Sequence, residues 1–168
     1  MRRGFLLAAV AALLALGASP VLAEPPAGFQ DWSPATFGQA RREQRIVLLM
    51  VSTSWCHWCH VMKRETYGDA RVRAVLARRF VPIYVDADAR PDLAERFRRY
   101  RWPTTAFLTP EGEPILALRG YRGPDDLLQI LARVQSLVAG GGPYPGFADP
   151  NADVATSRPP ADLDALIR

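Results

Sequence analysis

Ile46-Val47-Leu48-Leu49-Met50-Val51 is a continuous apolar run, partly β-branched and of strand length. Such a run predicts a central strand covered on both faces. Phe80 to Val85 predicts a second strand and Thr104 to Thr109 a third. Pro110-Glu111-Gly112 is a turn, and Ile115 to Arg119 its hairpin partner. Between the strands lie helical stretches with readable ends. Ser33-Pro34 has the form of an N-cap and first-turn proline, and Ala35 to Arg45 continues to a basic end. Residues 56–67 run from Cys56 to Tyr67 without a breaker before Gly68, Asp69 caps a stretch through Arg79, and Pro91 starts a helix through Tyr100. Gly123-Pro124-Asp125-Asp126 opens an amphipathic helix to about Val138. The order of elements predicts a three-layer α/β fold, a central mixed sheet flanked by helices. Asp86 and Asp88 are expected to end the second strand and cap the helix begun by Pro91. There is no internal repeat.

The ends of the chain differ in character. Met1-Arg2-Arg3 is positive, Phe5 to Leu16 is apolar, and Val21-Leu22-Ala23 offers small residues, the grammar of a secretory signal over residues 1–23. A membrane span needs about 20 apolar residues, and this run is broken by Gly17, Ser19 and Pro20. Cleavage after Ala23 is therefore expected, with a periplasmic product and no stable membrane insertion. From Ala139 the chain turns to Gly140-Gly141-Gly142-Pro143 and a Pro-rich, mostly polar stretch. Residues 139–168 are expected to be a flexible tail, with at most a helical turn or two at Ala161 to Ile167. That leaves 24–138 as the domain.

Composition narrows the classes. The 168 residues, 49% hydrophobic and 23% charged, suit one globular domain rather than a disordered chain. Without Arg2 and Arg3 the 21 basic residues become 19 against 17 acidic, a net +2. That excess is too small, and too dispersed, to point to nucleic acid. The two cysteines of the chain stand three apart in Cys56-His57-Trp58-Cys59. A disulfide closing so short a loop restrains the unfolded chain little, so chemistry is the better reason for the pair.

Trp55-Cys56-His57-Trp58-Cys59 between a buried strand and a helix, Trp102-Pro103-Thr104-Thr105 ahead of a later strand, and the closing hairpin and helix together resemble the thioredoxin-like proteins, from Gln30 to Val138. Within that superfamily Cys56 to Met62 is similar to the motif of the spermatogenesis-associated thioredoxin-domain proteins. Phe80 to Asp88 and Trp102 to Gly112 are similar to the periplasmic C-terminal domain of the bacterial transmembrane thiol:disulfide interchange reductase. The resemblance implies a thiol:disulfide oxidoreductase with no cofactor beyond its own dithiol. Its partners would be Cys-containing exported proteins or a membrane thiol:disulfide relay protein. It also implies a cis Trp102-Pro103 bond facing the cysteines, with the backbone before the proline pairing to an extended substrate, and apolar surface from Trp55 and Trp58. At a helix start, Cys56 is the candidate nucleophile, Cys59 the resolving thiol, and His57 a candidate to tune the potential. One departure stands out: Met50 occupies the position, six residues before the first cysteine, where thioredoxins carry a buried Asp. Glu65 and His60 are candidate substitutes, each with a surface role as the alternative.

Two rival readings use the same residues. Cys56-x-x-Cys59-His60 satisfies the c-type haem attachment pattern, although a central strand and Trp102-Pro103-Thr104 have no role in a small helical cytochrome. Two thiolates with His57 and His60 would suit copper(I) or zinc, although the chain has no further Cys or His to complete a site. No metal ligands are assigned.

Overall fold

Strand β2 (Ile46–Ser52) is buried along its whole length, and its side chains alternate between two cores. Ile46, Leu48 and Met50 enter one, and Val47, Leu49 and Val51 the other, the two-residue period of a strand covered on both faces. The computed structural model describes residues 24–147. The expected signal over 1–23 and the stretch from Ala148, including Ala161 to Ile167, lie outside the described residues. Around β2 stand β1 (Gln30–Asp31), β3 (Phe80–Asp86), β4 (Thr104–Leu108) and β5 (Pro114–Arg119), in the order β1-β3-β2-β4-β5. β1 and β2 run parallel to β3, whereas β4 is antiparallel to both β2 and β5. The sheet is mixed, as the order of elements predicts.

Five helices cover it: α1 (Pro34–Glu43), α2 (His57–Glu65), α3 (Ala70–Arg79), α4 (Pro91–Phe97), which tightens into a 3-10 turn at Arg98–Tyr100, and α5 (Pro124–Ala139). Ser33 caps α1 by accepting from Thr36 N at 3.2 Å, and Asp69 caps α3 by accepting from Arg71 N at 2.7 Å. Met62 of α2, Leu76 of α3 and Leu127, Leu131 and Val134 of α5 share the core of Met50. Ala40 of α1 and Leu93 and Phe97 of α4 share the other. Val51 pairs with Thr104, so the loop leaving β2 and the loop entering β4 meet at one end of the sheet. That end carries the site.

Three differences from the sequence reading have physical causes. β1 has only two residues, too few for any period to show. The cap expected from Asp86 and Asp88 is not made: Arg90 occupies the N-cap of α4 without a side-chain bond, and Asp86 instead accepts from Asp88 N at 3.0 Å. Third, the chain does not leave the domain at Ala139. Phe147 packs on Phe97 and Tyr100 at ring distances of 5.4 and 6.4 Å, Gly146 N donates to Ile115 O at 3.0 Å, and Tyr144 lies against the core of α5. Gly141 and Gly142, at φ 79° and 77°, turn the chain back. Two aromatics set in a Gly/Pro stretch hold it down without any period.

Candidate active site

Cys56 is the N-cap of α2, the position where unpaired backbone N–H groups and the positive end of the helix dipole converge. Its sulfur accepts from Cys59 N at 3.2 Å, and its carbonyl accepts from Cys59 N and His60 N at 3.1 and 3.2 Å. The two cysteines are joined by a disulfide, Cα to Cα 5.2 Å. Their exposures differ in sense: 7% at Cys56 and 0% at Cys59. Both cysteines are buried, and only Cys56 keeps a trace of exposure.

Beneath them the surroundings are apolar. Met50 is fully buried in the same core as Met62 and Tyr67. Tyr67 OH shares a 3.2 Å hydrogen bond with Thr105 Oγ1, and burial pushes its hydroxyl above the ordinary tyrosine range. Tyr84, opposite Met50 in the β2–β3 register, is likewise raised by burial. Lys63 of α2 stands 5.5 Å from its ring centroid and donates to Glu24 O at 3.0 Å; burial lowers the ammonium's pKa while Asp86 pulls the other way. Neither expected substitute for the missing Asp is buried. Glu65 accepts from Tyr121 OH at 3.3 Å on the surface, and His60 Nε2 is 2.7 Å from Ser54 O.

The loop before Cys56 is held by a residue whose role the sequence reading missed. Asp88, just past β3, accepts from Ser54 N at 3.0 Å, Ser54 Oγ at 2.9 Å and the Trp55 indole N–H at 3.3 Å. These bonds, led by the Ser54 backbone N–H, lower its carboxyl pKa. The contact spans more than 30 residues of chain, and no local spacing signals it.

Trp55 and Trp58 are 72% and 56% exposed. Trp58 lies 5.5 Å from both the Tyr121 and His57 rings. Trp102 is half-buried between the two cores, Pro103 is buried, their peptide bond is cis, and Gly120 N donates to Pro103 O at 2.8 Å. Through the Val51–Thr104 pair these residues stand at the cysteine end of the sheet. A cavity of about 490 Å3 lined by Trp32, Phe37, Phe97, Leu108 and Phe147 belongs to the opposite core, away from the thiols. Among the described residues no group of three or more His, Cys, Asp and Glu is placed to hold a metal.

A mixed five-stranded sheet, a disulfide-forming Cys-x-x-Cys at a helix N-terminus and a proline loop at the same sheet end define a thioredoxin-like protein. Residues 14–139 match the family described as "Protein of unknown function, DUF255" (Thioredox_DsbH), and the chain belongs to that family. It is 28% identical over 113 residues to human spermatogenesis-associated protein 20, covering 62% of this chain and 14% of that one. The chain thus spans only 14–15% of the length of such curated relatives. Among solved structures, a thioredoxin from Thermus thermophilus superposes with a TM-score of 0.58 at 29% identity, covering 67% of this chain and 88% of that one. A "DsbH Oxidoreductase" superposes at 0.56 with 16% identity, covering 75% and 99%, a likeness of fold.

Proposed function

We propose that this protein is an exported thiol:disulfide oxidoreductase that exchanges its Cys56/Cys59 couple with cysteines of other proteins. The observation that carries this reading is the unequal placement of the cysteines, Cys56 at the N-cap of α2 with slight exposure and Cys59 fully buried in its first turn. A thiolate rather than a thiol attacks a disulfide, and the helix terminus favours the thiolate at Cys56. The Cys56 thiolate attacks one sulfur of a substrate disulfide, forming a mixed disulfide and expelling the other substrate sulfur as a thiolate. The Cys59 thiolate then attacks Cys56 Sγ, closing the Cys56–Cys59 disulfide and releasing the second substrate thiolate, so two electrons pass to the substrate. Run backwards, the same steps oxidise a dithiol. Trp55, Trp58 and Trp102 supply the apolar surface an incoming segment meets, Pro103 shapes its edge, and His57 beside the thiols tunes their potential. No cofactor is required. The partners are Cys-containing exported proteins or a membrane thiol:disulfide relay protein, met in the periplasm after removal of residues 1–23.

The roles of the thiols are separable. Cys59→Ser is expected to accumulate mixed disulfides with partner proteins, whereas Cys56→Ser traps few and loses exchange. Equal trapping by both variants, or by neither, would overturn the assignment. The direction of flow follows from the potential of the couple in a glutathione series: near ~ −270 mV for a reductant, near ~ −120 mV for an oxidant.

A further inference from the structure

We infer that the proline side of the site selects partners carrying acidic residues near the reacting cysteine, through Arg99, Arg101 and Arg119. This deepens the thiol-exchange reading and rests on it.

The placement comes first. The 3-10 turn at Arg98–Tyr100 and then Arg101 lead directly into Trp102-Pro103. Arg119 is paired in register with Thr104, Thr104 with Val51, and the next residue, Gly120, donates its N–H to Pro103 O. Both arginine sources therefore flank the proline loop at the sheet end where β2 delivers the cysteines. Within Arg96-Phe97-Arg98-Arg99-Tyr100-Arg101 the two aromatics are buried and the four arginines exposed. That alternation alone makes a solvated outer face. Two observations go further.

Arg98 is paired with Glu95 at 3.1 Å, but Arg99, Arg101 and Arg119 have no carboxylate within 4.0 Å among the described residues. Glu95, Arg98, Arg99 and Arg101 line a cleft of about 490 Å3 in which positive charge outnumbers negative three to one. Moreover Arg101 has φ 58° and ψ −172°, a backbone region that glycine occupies freely and a side chain only under strain. A side chain kept where glycine would fit better, beside the proline loop, points to contact with a ligand. Guanidinium groups bind carboxylates through paired N–H donors in a fixed fork. On the other flank the Asp88 carboxylate lies under Trp55 and Ser54, so a negative charge stands by the cysteine loop and positive ones beside the proline. An extended segment bearing Asp or Glu on one side of its cysteine is thereby both attracted and oriented. The occupant is a peptide segment rather than a membrane, because the charge stands at the sheet end to which β2 delivers the cysteines.

The test is a single-turnover reaction of the reduced protein with three disulfide peptides identical except for acidic, neutral or basic residues beside the cysteine. At low salt the acidic peptide is expected to react about tenfold faster than the neutral one, the advantage shrinking as ionic strength rises. A triple Arg99→Glu, Arg101→Glu, Arg119→Glu variant should reverse the order while leaving the neutral peptide's rate within about twofold, and Arg101→Gly alone should lose part of the preference. Equal rates and salt slopes for all three peptides, or a preference that survives the triple variant, would overturn the inference. Equal peptide rates combined with wild-type binding to phosphatidylglycerol vesicles that the triple variant loses would overturn it in favour of a membrane surface. Failure to react with any of the three peptides would instead count against thiol exchange itself.

Discussion

Asp88 shows how one side chain organises the loop that carries the nucleophile. Its carboxylate gathers two donors from Ser54 and the indole N–H of Trp55, while His60 meets the Ser54 carbonyl from the helix side. Asp88→Ala frees both loop residues. The expected cost is about 0.5–1 kcal/mol, a charged hydrogen bond discounted for its exposure. Exchange with a bulky apolar disulfide peptide should slow, and reaction with a small disulfide should stay within twofold. The pH dependence has a definite sign. Because the folded carboxyl has a lowered pKa, its stabilisation is present above the unfolded Asp value of about 3.9 and is lost as pH falls through the folded one. Urea titrations at pH 7 and pH 3 should find the wild-type advantage over Asp88→Asn larger at the higher pH; an equal difference at both would rule the charge out as its source. Arg101 works in the opposite direction. Replacing it with glycine relieves a positive-φ conformation, worth about 1–3 kcal/mol, against about 0.5–1 kcal/mol of added chain entropy. A higher Tm for Arg101→Gly is expected, and a lower one would show that its backbone is not strained.

At the scale of elements, β2 was legible because an unbroken apolar run admits one interpretation, burial on both faces, and every residue of the strand is indeed buried. α2 was legible through its cysteines and α5 through its apolar stripe. The short β1 and the capping of α4 were not, since a two-residue strand has no period and Asp88 was taken up by a partner distant in sequence. Of the candidate site, the pair Cys56 and Cys59, the exposed Trp55 and Trp58 and the Trp102-Pro103 loop were legible as a set; their supporting Asp88 was not. The apolar setting under the thiols is itself testable. Met50→Asp places a carboxyl in a fully buried position between Tyr84 and Thr105 in the sheet register. Burial raises the folded pKa, so the charge-dependent part of the variant's penalty should be absent below the unfolded value of about 3.9 and grow as pH rises through the folded one. At pH 7 it should reach roughly 3–5 kcal/mol, as for an uncompensated buried charge. A pH-independent penalty in denaturant titrations would mean the carboxyl has found a partner or solvent.

For the molecule as a whole, the segment after α5 changes what counts as the domain. Residues matched to the family end at 139, and composition beyond that point suggests a tail, yet Tyr144 and Phe147 reach opposite cores of the sheet. Sequence could not reveal this, because anchoring by two isolated aromatics leaves neither a helical nor a strand period. Phe147 lies on Phe97 and Tyr100, the two buried residues that hold the arginine-bearing turn leading to Trp102-Pro103. The strap therefore braces the site from behind. A chain ending at 139 should be less stable than one ending at 147 by roughly 2–4 kcal/mol, and Phe147→Ala, a half-buried ring, by roughly 1–2 kcal/mol. Hydrogen exchange should quicken at the amides of residues 97–101 in both the chain ending at 139 and Phe147→Ala, and exchange with acidic peptides should fall more than exchange with neutral ones. If the two lengths unfold at the same urea concentration and protect residues 97–101 equally, the strap carries no structural role and the domain ends with α5.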